Sequence, residues 1–406
     1  MTVHDAPTAM ALRRHQRWSD VLIVQGLVLR AHPWLRRVGT ILVVDLYDPF
    51  HFEHLELSRD HSRRARRDEA AFVTTAIIEQ LRRGDYFLCA SEKQRDLWLG
   101  HLAATGRINP STYERDPTLR SLIDVVPFGL PTEEPRAVRP VLRNVIPGIS
   151  SDDQVVLWGG GLYPWFDPAL VVRSVAALAP RLPVRLVLPG GVHPNPNAPP
   201  MHTLTEVTDL ARELGVLGRN VFILDKWVPY HERAGLFLEA DVGVTTHRDH
   251  LETRFSFRTR VLDYIWTVLP VVATVGDVMA DLIAREGLGA TVEAGDAAAL
   301  TEALATALTS DQWRQSAKAN LARLRPSLTW EEAARPLARF LTSPAAAADL
   351  PRERRSRPHS VAGGLGAPAI VRHDIRAARR AVHEEGWPAL AAKVGRRLRT
   401  IERPEK

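Results

Sequence analysis

Residues 154–161 read Gln-Val-Val-Leu-Trp-Gly-Gly-Gly, an apolar run fit for a buried strand followed at once by three glycines. Four further runs follow, at 184–188 (VRLVL), 220–224 (NVFIL), 241–245 (DVGVT) and 270–274 (PVVAT), with amphipathic helical stretches such as 168–180 and 203–215 between them. Strands that are apolar throughout and alternate with helices predict a parallel sheet covered on both faces. An earlier set, 19–25 (SDVLIVQ), 40–45 (TILVVD) and 86–90 (YFLCA), repeats the pattern, with a long helix expected over 62–82. The stretch 131–150, rich in proline and charge, separates the two sets.

The chain thus reads as an α/β protein with a first domain over 1–138 and a second over 139–325. A crossover helix is expected over 326–345, starting near Trp330 with Thr329 as N-cap and Glu332 at the capping-box position. Residues 346–369 read as a flexible low-complexity linker, and 370–406 as a basic helical tail interrupted at Pro388.

Composition narrows the field. With 406 residues, 45% apolar and 25% charged, the chain is long enough for two or three cores and is neither collagen-like nor disordered. Its single cysteine, Cys89, lies in the apolar run FLCAS and reads as an inert buried thiol rather than a nucleophile. No apolar stretch reaches the length of a membrane span and no signal pattern opens the chain, so a soluble cytoplasmic protein is expected. The net charge of +6 is unevenly placed: residues 351–406 hold fourteen Arg or Lys against six acids, leaving 39 against 41 elsewhere. The tail has one aromatic residue, Trp387, and no zinc or RNA-binding signature, so nucleic acid is not an expected partner.

Ligands bind parallel sheets at the carboxyl ends of the strands. One such loop is Gly159-Gly160-Gly161, followed by Tyr163, Trp165, Phe166 and Asp167, which reads either as a tight turn or as a phosphate cradle beside a helix N-terminus. A second, Gly190 to Pro196 with His193, lacks metal-ligand spacing and reads as structural. Lys226 and Trp227 put a cation and a ring at a third strand end. The fourth loop, THRDHLETRFSFRTRVLDY at 246–264, sets Arg248, Arg254, Arg258 and Arg260 among Asp249, Glu252, Asp263 and three apolar residues. Arginine forks suit phosphates and carboxylates accept sugar hydroxyls; the alternative is a mutually neutralised surface.

These residues carry a resemblance over about 210 positions, in order. Ser91-Glu92, VVPFGLP (125–131), KWVPYHER (226–233) before Ala240-Asp241, LDYIWTVLPVVAT (262–274) and GD…GLG…AGDAAAL (276–300) resemble the retaining, GT-B-fold family-4 glycosyltransferases. The resemblance implies two Rossmann-like domains facing a cleft, the first incomplete because VVPFGLP arrives early. It implies a nucleotide diphosphate sugar as donor, with no metal and no further cofactor. Asp263 falls where the family binds ribose with a Glu. Phe255 falls where the family has its sugar-binding Glu, which makes Glu252 the candidate substitute, and Val268 replaces a glycine. The stretch 160–167 lacks the family's phosphate-binding cations, so Arg258, Arg260 and Lys226 are the available ones, Arg260 foremost.

The donor set implied is Gly159, Gly160, Gly161, Trp165, Lys226, Trp227, Ser256, Phe257, Arg258, Arg260 and Asp263. Asp45, Asp48 and His51, in VVDLYDPFHFEHLE (43–56), stand where relatives place acceptor-side catalytic groups, with Glu252 from the other domain. Asp45 reads equally as a helix cap and His51 as a satisfied loop residue. The function implied is transfer of a hexose to a glycan or lipid-linked acceptor in cell-envelope polysaccharide synthesis. The alternative is a non-catalytic nucleotide-sugar-binding remnant. A lipid-linked acceptor suits an enzyme held peripherally at the inner membrane face by the basic tail.

Overall fold

A computed structural model describes residues 8–189, 202–224 and 228–350. The expected linker beyond 350, the basic tail, the His193 loop, Lys226 and Trp227 lie outside the described residues.

Two parallel sheets carry the structure. The first contains β1 (Val21–Gln25), β2 (Ile41–Asp45), β3 (Tyr86–Cys89) and β4 (Ile123–Val125) in the order β1-β2-β3-β4. The second contains β5 (Gln154–Trp158), β6 (Val184–Pro189), β7 (Val221–Leu224), β8 (Val242–Thr245), β9 (Val271–Thr274) and β10 (Gly289–Val292). Its order, β10-β9-β8-β5-β6-β7, reverses direction between β5 and β8. That is the strand order of dinucleotide-binding sheets, in which the reversal opens a crevice at the carboxyl ends of the two central strands.

Burial explains why the strands lack an alternating pattern. In β5, Val156 and Trp158 face one core, with the helix Pro168–Leu178, while Val155 and Leu157 face another, with the helix Arg260–Trp266. Both faces are dry, so the four buried positions, Val155 to Trp158, are all apolar. The sequence reading did not include β4 and β10. Both are outer strands, of three and four residues, and β10 (Gly-Ala-Thr-Val) is half-exposed, so neither offers an apolar run to read.

In the first domain, Leu42, Val44, Phe87 and Cys89 meet Val73, Ile77 and Trp98 from the helices Arg63–Arg83 and Glu92–Ala104. Cys89 is fully buried, and that burial pushes its thiol up to about 12, which leaves it unreactive at neutral pH. The opposite face of this sheet is covered from the far end of the chain. Leu337 and Phe340, on the helix Arg335–Thr342, pack against Val43, Tyr86 and Leu88, with the Tyr86 and Phe340 rings stacked at 4.1 Å.

The chain crosses between the two domains twice. Leu130, leaving the first domain, donates to the Leu328 carbonyl at 2.7 Å and accepts from Trp330 N–H at 3.0 Å on the returning segment. Gly129 permits this approach, because a Cβ there would stand 2.5 Å from the Trp330 backbone. The returning segment is a 3-10 turn (Arg325–Leu328), a one-turn helix (Trp330–Ala333) and the helix Arg335–Thr342. Thr329 is the N-cap of the one-turn helix but makes no side-chain cap bond. Asp349 then pairs with Arg107 at 2.6 Å, and Ala347 N–H donates to Asp85, so residues 345–350 are fastened to the first domain.

Candidate functional site

The carboxyl ends of β2, β5 and β8 meet in a cleft of about 490 Å³. The first domain contributes Tyr47, Asp48, Pro49, Glu53 and Leu57. The second contributes Gly159 to Gly161, Tyr163, Trp165, Phe166, Glu252, Ser256 to Arg260 and Asp263. The predicted donor residues within the described chain thus line one cavity, together with Asp48 and Glu252. Asp45 and His51 do not line it.

The three glycines act by leaving room. Gly159 N–H donates to the Tyr264 hydroxyl at 2.8 Å, and a Cβ on Gly159 would collide with that ring and with Phe237. Gly160 lies against the Arg260 guanidinium, 3.3 Å from where its Cβ would be. The helix Arg260–Trp266 therefore delivers a cation to the loop that carries none of its own.

Arg260 is the unusual group of the site. It is buried, its Nη2 donates to the Gly161 carbonyl at 2.9 Å, and its guanidinium lies 3.9 Å from the Phe166 ring centroid and 4.7 Å from that of Trp158. Its Nη1 has no hydrogen-bond partner, and no described carboxylate is within ion-pair distance. Burial lowers its pKa to about 10, with neighbouring Arg258 adding to the effect, so it stays protonated at neutral pH. A buried cation with an unmet donor is costly unless an anion completes it.

Arg258 is already engaged. Its two terminal nitrogens reach the Glu252 carboxylate at 2.9 and 2.7 Å, its Nε lies 3.5 Å from Asp277, and both members of the Glu252 pair are buried. Behind it, Asp277 meets His247 at 3.1 Å and caps the helix Val278–Glu286 through Met279 and Ala280 N–H. The hydrogen bond to His247 and the Arg258 charge, with the Ala280 N–H, hold the Asp277 carboxyl below its usual value despite burial. Glu252 is thus fixed in the wall as part of an ionic chain. Asp263 faces the cleft and meets Arg233 Nε at 3.4 Å, and that guanidinium lies over Tyr230 and Trp266. Trp165 stacks on Tyr163 at 4.8 Å and Ser256 donates to the Thr253 carbonyl.

On the facing wall, Asp48 and Glu53 share a hydrogen bond. Burial and the charge of Glu252 raise Asp48 to about 6 against the lowering effect of its bond to Glu53, while burial and the charges of Asp48 and Glu252 raise Glu53 to about 9. The pair therefore carries one proton between those values. Asp45 instead accepts the Tyr47 N–H at 2.9 Å and shapes the turn after β2. His51 turns inward against Phe52 and Trp98, neither ring nitrogen has a partner, and burial lowers it to about 4, so it is neutral.

Glu53, Arg233, Asp277 and His247 were not singled out from the sequence. Glu53 sits in the same short run as Asp48, and Arg233 and Asp277 lie inside the quoted motifs. Only the tertiary contacts give them roles.

No protein-family model matches the chain, and no curated protein sequence does. Solved structures do. The sucrose-phosphate synthase of Thermosynechococcus elongatus superposes with a TM-score of 0.56 at 16% identity, over 82% of this chain and 76% of that one. Anabaena HepE in complex with UDP-glucose gives 0.58 at 16% identity, over 82% and 81%. A UDP-forming α,α-trehalose-phosphate synthase from Burkholderia xenovorans gives 0.59 at 15% identity, over 84% and 77%. The fold is GT-B. In this GT-B chain the first sheet has four strands and the second six. Among the described residues no helix is long and apolar enough to cross a membrane.

Proposed function

We propose that the chain is a retaining glycosyltransferase that moves a hexosyl group from a nucleotide diphosphate sugar to a glycan or lipid-linked hydroxyl. The observation that carries this reading is Arg260, a buried, protonated side chain in the cleft wall with one donor unmet. A diphosphate supplies the missing acceptor. The HepE structure with UDP-glucose shares the fold and supports this donor class.

In this reading Arg260 and the Gly159–Gly161 loop hold the diphosphate, and charge that builds on the leaving oxygen strengthens the bond to Arg260. Asp263, positioned by Arg233, accepts the ribose hydroxyls. Glu252, fixed by Arg258, accepts a sugar hydroxyl. Asp48, whose carboxylate is ionised while Glu53 keeps the proton, receives the incoming acceptor hydroxyl from the opposite wall. Peripheral attachment at the inner membrane face, in envelope polysaccharide synthesis, suits a lipid-linked acceptor.

Thermal-shift screening against UDP-, GDP- and dTDP-sugars tests the donor assignment, because a ligand that binds the folded chain raises its midpoint by mass action. One nucleotide series is expected to stabilise wild type but not Arg260→Ala. Absence of any shift across the panel at millimolar ligand overturns the reading.

A further inference from the structure

The first helix, Ala9–Trp18, takes no part in the cleft. Met10, Arg13, Arg14, Arg17 and Trp18 line one surface hollow, at the i, i+3, i+4, i+7, i+8 spacing of a single helical stripe. Met10 is 80% exposed and Trp18 70%, which is unusual for two large apolar side chains on one short helix. The other face is the one that holds the helix. Leu12 packs on the first core, and Gln16 donates to the Thr40 hydroxyl at 2.6 Å. The stripe is therefore presented outward by a fastened helix.

Its charge has one sign. The helix contains no acidic residue, and neither Arg14 nor Arg17 has an ion-pair partner among the described residues. Arg13 lies over the Trp34 ring at 5.0 Å. Two exposed apolar side chains flanking arginines on one outward stripe suit contact with an anionic lipid surface. There the indole sits at headgroup level and the cations meet anionic headgroups. A polyanion such as RNA accounts for the arginines but leaves Met10 unexplained.

We propose that the helix Ala9–Trp18 is a docking surface for an anionic lipid bilayer, with Met10 and Trp18 entering the headgroup boundary and Arg14 and Arg17 contacting lipid phosphates. This surface belongs to the first domain. It deepens the peripheral membrane attachment of the proposed function and does not rest on the proposed reaction.

Co-sedimentation of the full chain with phosphatidylcholine vesicles, with and without 25% phosphatidylglycerol, provides the test. Wild type is expected to bind the anionic vesicles and to release with salt. Arg14→Glu/Arg17→Glu should lower partitioning at least tenfold, more than Arg396→Glu/Arg397→Glu/Arg399→Glu does. Met10→Ser/Trp18→Ser should lower it severalfold while keeping the salt dependence, and should abolish part of the tryptophan quenching by brominated acyl chains. All four helix positions are exposed, and circular dichroism checks that the variants fold. Equal partitioning of wild type and Arg14→Glu/Arg17→Glu overturns the proposal. So does an arginine-dependent shift of a 20-nucleotide RNA without vesicle binding.

Discussion

Gln94, fully buried in the first domain, donates from one amide nitrogen to the Tyr47 carbonyl at 2.8 Å and to the Phe255 carbonyl of the second domain at 2.7 Å. Its oxygen accepts the Ala90 N–H at 2.8 Å. One side chain therefore ties both walls of the cleft. Phe255 adds a ring contact to Phe52 at 5.6 Å. The position where the resembling family carries a sugar-binding Glu is here an interdomain joint.

Replacing Gln94 by Leu keeps the volume but leaves a buried N–H and two carbonyls unpaired. The expected cost is about 3 kcal/mol, given ~1–3 kcal/mol for each unmet buried group. Urea unfolding measures it, and a loss below about 1 kcal/mol would show that the joint relaxes or admits water.

Arg260→Ala should weaken binding of the nucleoside diphosphate that stabilises the wild type by about 1.5–3 kcal/mol, the range for a hydrogen bond to a charged group. Arg260→Lys should recover only part of it, because an ammonium lacks the planar fork that bonds Gly161 and stacks on Phe166. Titration calorimetry with that nucleoside diphosphate and with its nucleoside separates phosphate from nucleoside. Equal losses for both ligands would assign Arg260 to the nucleoside instead.

The Asp48–Glu53 pair predicts a sign for the pH dependence of stability. Glu53 goes from 4.5 to about 9 on folding, so the folded chain binds more protons than the unfolded chain between those values. Its contribution is fully present below about 4.5 and is lost as pH rises towards 9. Glu53→Gln should raise the melting temperature at pH 9, leave it nearly unchanged at pH 5, and flatten the profile. A variant whose profile parallels wild type would place the titrating group elsewhere.

Val268 adopts φ = +55°, a left-handed conformation that costs an L-residue about 1–2 kcal/mol and a β-branched one the most. The usual order of Ala over Gly should therefore invert. Val268→Gly is expected to be more stable than Val268→Ala by about 1 kcal/mol. Paired thermal melts decide, and Ala ranking above Gly would show that the turn relaxes to negative φ.

Strand runs such as QVVLW and TILVVD determined the α/β class and the parallel sheets, because a strand dry on both faces must be apolar at every position. Chain order also placed Gly159, Glu252, Arg260 and Asp263 at strand ends of one sheet, and these do line one cleft. Local spacing carries no information about partners distant in sequence. Only the tertiary structure turned His51 into the Trp98 pocket, joined Arg258 to Glu252, set Arg233 beside Asp263 and brought Glu53 to Asp48. It likewise decided that Arg260, unlike Arg258, keeps a terminal nitrogen unmet and has no carboxylate beside it. Two arginines in the same run look alike in sequence, and what separates them is a carboxylate within 3 Å of one and two aromatic rings around the other.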